Sequence, residues 1–151
     1  MPALRKSKAF FRLLVADDNP ADIRLLKEAF LSIATPHCIH AVEDGEEALD
    51  YLFARGNHAQ APRPDIVLLD INMPKRNGHD VLQAIKSDAT LKHVVVLMFS
   101  GSAARSDVLR AYTAHANSYV AKPQSLGEYF DLAKAIDEFW GRSSLLPQRF
   151  L

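Results

Sequence analysis

The sequence is short of the residues that mark several protein classes. It has a single cysteine, Cys38, so no intrachain disulfide is possible, which fits a reducing compartment. No apolar run approaches the roughly 20 residues that a membrane span needs. Its 18 basic and 18 acidic residues cancel, so no global positive field would hold nucleic acid or an anionic membrane. We therefore expect a cytoplasmic protein with neither nucleic acid nor a membrane as a partner.

The start of the chain places basic residues before apolar ones, the order found in signal peptides. The apolar run at 10–16 is short, however, and ends in Asp17 and Asp18 with no small-residue cleavage site before them. A buried strand is the better interpretation. A length of 151 residues predicts one domain, with a core over 11–140 and a tail over 141–151 that is too small for an effector domain.

Apolar runs of strand length alternate with segments of helical period. The runs lie at 11–16, 39–42, 66–69, 94–99 and 118–121. Runs of this kind are typical of strands that are covered on both faces in a parallel sheet. Five βα units with right-handed crossovers predict an α/β fold with helices on both faces of the sheet.

Capping residues precede the helical segments, and one loop is long. The start signals are Asn19-Pro20, Asp44 with Glu47, Asn77-Gly78, Ser102, and Ser125 with Glu128. The segment 54–64 predicts an enlarged loop after the second helix.

Side chains that carry chemistry follow four of the five predicted strands. Asp17 and Asp18 end the first, Asp70 the third and Ser100 the fourth, and Lys122 follows the fifth. Ligands of an open parallel sheet bind beyond the carboxyl ends of its strands. Two carboxylates about 4 Å apart repel by roughly 4 kcal/mol at an effective dielectric of about 20, so three such groups need a cation or shifted pKa values. Mg²⁺ suits oxygen ligands, and a carboxylate beside Mg²⁺ and a lysine can attack phosphorus.

These residues, with the stretch 70–74 (DINMP) and Gly78, resemble the signature of response-regulator receiver domains of two-component systems. The resemblance runs from about residue 11 to about residue 140. It implies a doubly wound, flavodoxin-like sheet of five parallel strands in the order 2-1-3-4-5. It also implies signalling rather than turnover of a substrate, with Mg²⁺-dependent chemistry at the protein's own aspartate.

The resemblance implies a role for each residue of the predicted metal and phosphate site. Asp70 resembles the phosphoacceptor. Asp18 resembles the main carboxylate ligand of Mg²⁺ (or Mn²⁺), and Asp17 acts largely through a water. Asn72 resembles the position that coordinates the metal through its backbone carbonyl. Lys122 resembles the lysine that pairs with the phosphoryl group.

Three further expectations follow from the same resemblance. The peptide bond between Lys122 and Pro123 is expected to be cis. Ser100 resembles the switch hydroxyl and Tyr119 the switch aromatic. Phosphorylation would draw Ser100 toward the phosphoryl oxygens and favour an inward Tyr119, as a shift between two populations.

Some features resemble a narrower group, the single-domain regulators that serve bacterial phytochrome kinases. They are the enlarged loop at 54–64, the helix ending in Glu138-Phe139-Trp140, and the leucine- and proline-containing tail. This resemblance implies a phytochrome-type histidine kinase as the partner. It also implies a homodimer formed through the last helix face and the tail.

Two alternatives remain beside this interpretation. A phosphate shuttle or sink in a phosphorelay would share all of the chemistry and differ only in its partner. A phosphatase of the haloacid-dehalogenase type also uses a strand-end aspartate, Mg²⁺ and a lysine. In that class, however, a second acid follows the nucleophile by two residues, and here that position is Asn72.

Overall fold

A parallel sheet of five strands lies at the centre of the structure, a computed structural model that describes residues 10–151. The strands are β1 (Phe11–Ala16), β2 (His37–Val42), β3 (Ile66–Leu69), β4 (Val95–Ser100) and β5 (Ser118–Ala121). Their order is β2-β1-β3-β4-β5, which confirms the predicted topology. Residues 1–9, the first part of the segment weighed as a signal peptide, lie outside the described residues.

The predicted bounds of β1, β3 and β5 are confirmed, and the other two strands differ. β4 is shifted by one residue, and β2 begins two residues before the predicted run, at His37. β2 lies at the edge of the sheet and pairs only with β1, so its first residues need no apolar face. Cys38 is accordingly an exposed free thiol.

Five α-helices follow the five strands, one after each, and cover both faces of the sheet. They are α1 (Pro20–Phe30), α2 (Gly45–Leu52), α3 (Gly78–Ser87), α4 (Arg105–Thr113) and α5 (Leu126–Ile136). A 3₁₀ turn, Gly56–His58, interrupts the enlarged loop after α2, and a π-helix, Asp137–Ser143, continues α5.

The predicted capping residues start four of these helices. The Asn19 side chain accepts from two backbone N–H groups of α1, and Asp44 Oδ1 accepts from Glu47 N at 2.8 Å. Ser125 caps α5 in the same way. The prediction that Ser102 caps α4 is wrong, because the cap position belongs to Ala104, which has no side-chain acceptor.

Alternate residues of the strands feed two apolar clusters, one on each face of the sheet. Leu14 and Ala16 of β1 join the cluster under α2, α3 and α4. Phe11, Leu13 and Val15 join the cluster under α1 and α5. This period of two is the pattern expected of a strand covered on both faces.

The second cluster extends past the range 11–140 that was expected to hold the core. Leu146, in the tail, is 1% exposed and packs in the cluster with Phe11 and Phe30. Trp140 packs against the same cluster, whereas Phe139 is 58% exposed. Among the described residues, no helix is both long enough and apolar enough to cross a membrane.

Candidate functional site

Backbone hydrogen bonds bring the strand ends together at one edge of the sheet. Asp70 N donates to Ala16 O at 2.9 Å, which sets Asp70 beside Asp17. Lys122 N donates to Ser100 O, also at 2.9 Å, so the ends of β4 and β5 meet in the same way. The sheet therefore gathers residues that are far apart in the sequence, as the strand-end pattern predicts.

Three carboxylates form a cluster at this edge. One oxygen each from Asp17, Asp18 and Asp70 lies within 4.8 Å of the others. Asp17 is 0% and Asp70 5% exposed, whereas Asp18 stands at the exposed rim. Three hard oxygen donors with one side open to solvent match the ligands that Mg²⁺ or Mn²⁺ takes in proteins. The cluster therefore fits the divalent cation predicted from the sequence.

Lys122 supplies the positive charge of the site. Its Nζ donates to Asp22 Oδ2 at 2.8 Å and to Asp70 Oδ2 at 3.2 Å. It also lies 2.8 Å from Asp17 Oδ2, in an ion pair whose angles do not make a hydrogen bond. Burial works to lower the pKa of Lys122, but its contacts with Asp17 and Asp22 outweigh burial and raise that pKa. The ammonium is thus held in its charged form.

Asp17 is the most buried acid of the cluster. Burial raises the pKa of its carboxyl from 3.8 to about 6, although Lys122 and the backbone N–H of Asn19 work to lower it. Asp17 Oδ1 accepts from that N–H at 2.9 Å, while Oδ2 accepts no hydrogen bond. A buried carboxylate oxygen of this kind is stabilised by a further cation.

The loop after β3 fixes the position of Asp70 through hydrogen bonds to the backbone N–H and C=O groups of Ile71. Asp70 Oδ1 accepts from Ile71 N at 2.8 Å, and Gly78 N donates to Ile71 O at 2.7 Å. A Cβ on Gly78 would lie 2.9 Å from Ile71 Cα and still closer to the Asp70 carbonyl oxygen. Only glycine therefore lets α3 begin so close to the phosphoacceptor candidate.

Two expectations from the family pattern remain, the metal ligand at Asn72 and the cis peptide before Pro123. Asn72 follows Asp70 by two residues and is exposed, and its role as a carbonyl ligand stays a prediction. The cis peptide expected between Lys122 and Pro123 is wrong, because no cis peptide occurs within residues 10–151. Lys122 reaches its carboxylates with the trans isomer, the form that is intrinsically favoured by about 0.5–1 kcal/mol.

The two switch candidates, Ser100 and Tyr119, meet at Ser102 in the loop between β4 and α4. Ser100 is 1% exposed, and its Oγ accepts from Ser102 N at 3.1 Å. Tyr119 donates its hydroxyl to Ser102 O at 2.8 Å. Each candidate therefore holds one backbone group of the same loop residue.

The side chain of Ser102 continues this connection to α4 and α3. Ser102 Oγ donates to Asp107 Oδ2 at 2.8 Å, and Asp107 Oδ1 lies 3.4 Å from Nε2 of the buried His79. The bond from Ser102, together with the weaker one from His79, lowers the pKa of Asp107. The loop that bears Ser102 is thus tied to the first turn of α3, directly beside Gly78.

Sequence reasoning missed two residues of the site, Asp22 and Tyr129. Asp22 Oδ1 accepts from the Tyr129 hydroxyl at 3.0 Å while Oδ2 binds Lys122. In the sequence, Asp22 looks like an ordinary acid in the first turn of a helix, where it interacts well with the helix dipole. The only signal was its position five residues after Asp17, which places it at the same edge of the sheet.

Comparison with known proteins identifies the family that the chain matches. Residues 13–134 match the family model of the response regulator receiver domain, and this range includes every candidate site residue named above. Over 135 residues the chain is 33% identical to the response regulator Rcp1 of Synechocystis sp., across 89% of this chain and 92% of that protein.

Two solved structures have the same fold over nearly their whole length. The crystal structure of the phosphorylated cyanobacterial phytochrome response regulator RcpA has a TM-score of 0.87 at 42% identity, covering 92% of this chain and 99% of RcpA. The structure of Mn²⁺-bound Rcp1 has a TM-score of 0.85 at 33% identity, covering 91% of this chain and 99% of Rcp1.

Proposed function

This chain belongs to the response regulator receiver domain family, a family of signalling proteins, and we propose that it accepts a phosphoryl group on Asp70 from a histidine kinase in the cytoplasm. One observation carries the proposal. Asp70 is a buried carboxylate that has two further carboxylates within 4.8 Å and the Lys122 ammonium at 3.2 Å. This arrangement supplies a nucleophile, oxygen ligands for a cation and a positive charge for the transferred group.

The transfer follows from the chemistry of these side chains. A carboxylate oxygen of Asp70 attacks phosphorus, the new O–P bond forms as the N–P bond of a phosphohistidine breaks, and the freed imidazole takes a proton. Lys122 then pairs with phosphoryl oxygens in place of some of its carboxylate contacts. A divalent cation held by Asp17, Asp18, Asp70 and the Asn72 carbonyl would neutralise the charge that builds up on the phosphoryl group. Asp70 thus becomes an aspartyl phosphate.

The signal is a rearrangement of the loop that ends at α4. Ser100 Oγ at present accepts from Ser102 N, so drawing its hydroxyl to a phosphoryl oxygen costs that bond. Tyr119 holds the carbonyl of Ser102, so it responds when the loop moves. The loop thus has two arrangements, one in which Ser100 binds Ser102 N and one in which Ser100 binds the phosphoryl group. Phosphorylation favours the latter because only that arrangement pairs Ser100 with the phosphoryl oxygens.

The direct test is uptake of phosphate from acetyl phosphate. With Mg²⁺ present, wild-type protein should gain one phosphoryl group by intact mass, and Asp70→Asn should gain none. Asp80→Asn is the matched control, because Asp80 is an exposed acid in the first turn of α3. Uptake that persists in Asp70→Asn refutes the proposal, and so does uptake that survives chelation of the metal.

The donor that we propose is a phytochrome-type kinase. The supporting observation is the 42% identity with RcpA, a phytochrome response regulator, over 92% of this chain. Purified phytochrome kinases with radiolabelled phosphate on their histidine should transfer the label to this protein within the time in which they label RcpA. Transfer that is no faster than that to an unrelated receiver would contradict this donor.

We further propose a homodimer formed by the face of the last helix, where the π-helix continues α5, and by the tail. Phe139, Leu145, Phe150 and Leu151 each leave more than half of the side chain exposed in this region. Apolar side chains exposed together are typical of protein–protein interfaces. Sedimentation should show a dimer that Phe139→Asp disrupts, whereas Leu31→Asp, at an exposed leucine after α1, should not disrupt it. A monomeric wild-type protein would exclude this surface.

A further inference from the structure

The geometry points to Asp22 and Tyr129 as positioning residues that hold the Lys122 ammonium beside Asp70. This inference rests on the proposed phosphorylation of Asp70 and adds two residues to its machinery. The starting observation is the set of contacts that Nζ makes. Its shortest hydrogen bond, at 2.8 Å, goes to Asp22 and not to the phosphoacceptor, to which the distance is 3.2 Å.

Asp22 differs in function from the other two carboxylates that contact Lys122. Asp17 and Asp70 belong to the acidic cluster, which is the set of oxygens that fits a cation, whereas Asp22 lies outside it. The contact with Asp22 is therefore the one that Lys122 can keep when the cluster turns its oxygens to a cation or a phosphoryl group. Without it, the flexible four-carbon stem of lysine would have no dedicated acceptor.

Asp22 is itself fixed at both oxygens. Oδ2 accepts from Lys122, and Oδ1 accepts from the hydroxyl of Tyr129 on α5 at 3.0 Å. The Tyr129 ring is buried against Phe99, with ring centroids 6.4 Å apart, so its hydroxyl has little freedom to leave Asp22. Backbone N–H groups at the start of α1 also favour a negative charge at this position.

The Lys122 ammonium also contacts the ring of Phe99. Nζ lies 5.5 Å from the centroid of that ring, within the range of a cation–π contact. Phe99 directly precedes Ser100 in β4, and Tyr129 packs on the same ring. The aspartate, the tyrosine and the phenylalanine together leave the ammonium a narrow range of positions beside Asp70. A charged group that is held in position before the reaction begins increases the reaction rate.

The test compares three variants for phosphorylation by acetyl phosphate with Mg²⁺. Asp22→Asn keeps the size and one acceptor oxygen but removes the charge, and we expect the rate constant to fall roughly fivefold or more. Tyr129→Phe keeps the buried ring and removes only the hydroxyl, so it should lower the rate in the same direction but less. Asp131→Asn removes an exposed acid from α5 and should leave the rate unchanged.

A second measurement reports on Lys122 directly. Acetylation of the folded proteins by an N-hydroxysuccinimide ester is followed by peptide mass spectrometry, with Lys134, which is 71% exposed, as the internal reference. Asp22→Asn should raise the acetylation rate of Lys122 severalfold, because Nζ loses its shortest hydrogen bond and the flexible lysine side chain moves out of the site more often. Asp131→Asn should not change it. A general loss of stability in Asp22→Asn would also speed the acetylation of Lys122, but it would be accompanied by a lower thermal midpoint.

The outcomes separate the two proposals. Slower phosphorylation together with faster Lys122 acetylation in Asp22→Asn supports the positioning role. A wild-type phosphorylation rate in Asp22→Asn overturns that role, and so does an unchanged acetylation rate. If wild-type protein takes up no phosphoryl group, the proposed function is wrong. The acetylation rates alone then decide whether Asp22 holds Lys122.

Discussion

Replacement of Gly78 by alanine should both destabilise the protein and disturb its phosphoacceptor. A Cβ at this position would lie 2.8 Å from the Asp70 carbonyl carbon and 2.9 Å from Ile71 Cα, whereas ordinary contacts begin near 3.4 Å. The two backbone segments must therefore move apart by at least about 0.5 Å, which shifts α3 relative to the segment that carries Asp70. Backbone shifts forced by an added methyl group in a packed interior cost about 1–3 kcal/mol.

The expected change is large enough to measure by urea unfolding. A loss of about 2 kcal/mol, divided by a slope of about 2 kcal/mol per molar urea, lowers the midpoint by about 1 M. Gly101→Ala is the matched control, because a Cβ there meets no atom within 4 Å, although Gly101 also adjoins the site, directly after Ser100. It should raise stability by about 0.4–1 kcal/mol, because alanine narrows the unfolded ensemble.

The two alanine variants should therefore move the urea midpoint in opposite directions. Neither glycine has a positive φ, so the contact at Gly78, not backbone strain, must produce the difference. Uptake of phosphate from acetyl phosphate should slow in Gly78→Ala and stay near wild type in Gly101→Ala. A midpoint of Gly78→Ala at or above that of wild type would refute the close approach. Equal shifts in both variants would assign the effect to the loss of glycine in general.

Further predictions concern the metal, one half-buried lysine and one histidine. Mg²⁺ at about 100 times its dissociation constant should stabilise the wild type by about 2.7 kcal/mol, measured by thermal unfolding. Asp18→Asn should lose most of this gain, and an equal gain in both proteins would contradict a metal site at the acidic cluster. Lys86→Met should lower the free energy of unfolding by about 1–3 kcal/mol, because Nζ donates to two backbone carbonyls and to Asn117 Oδ1. An unchanged urea midpoint would show that these three hydrogen bonds do not stabilise the fold. Partial desolvation of the ring, together with His58, lowers the pKa of His40 from 6.5. Near and below pH 6.5 the unfolded chain therefore binds more protons, and the free energy of unfolding falls as the pH drops from 6.5 toward the lowered pKa of the folded state. His40→Phe keeps the stacking on Tyr51 and should flatten that dependence between about pH 8 and about pH 5, whereas an equally steep loss of thermal midpoint would show that other groups cause it.

The sequence predicted the central strands and the acidic cluster well because their signals are local. The run at 66–69 is apolar at every position since β3 is buried on both faces, and Asp70 follows it directly. β2 was harder to delimit because an edge strand buries alternate residues, so the polar His37 and Cys38 gave no apolar pattern. Edge position is a property of the sheet and not of the segment.

The parts of the site that sequence reasoning missed depend on long-range contacts. Lys122 and Asp22 are 100 residues apart, and Asp22 and Tyr129 are 107 apart. Their pairing depends on how α1 and α5 pack side by side, which no local pattern encodes. The role of Ser102 was misjudged for a related reason. Its hydroxyl is used by Asp107 of α4, and the helix consequently begins two residues later than a cap at Ser102 would require.

The burial of Leu146 has a consequence for the biosynthesis of the protein. Leu146 packs in one cluster with Phe11, so residues from the first strand and from the tail complete the same part of the core. A nascent chain cannot close that cluster until residue 146 has left the ribosomal exit tunnel, although the strands between have already been made. The apolar cluster under α1 and α5 therefore stays partly exposed to solvent until translation has passed residue 146. Premature termination just before that point would release a chain that has all five strands but lacks Leu146 in the cluster under α1 and α5.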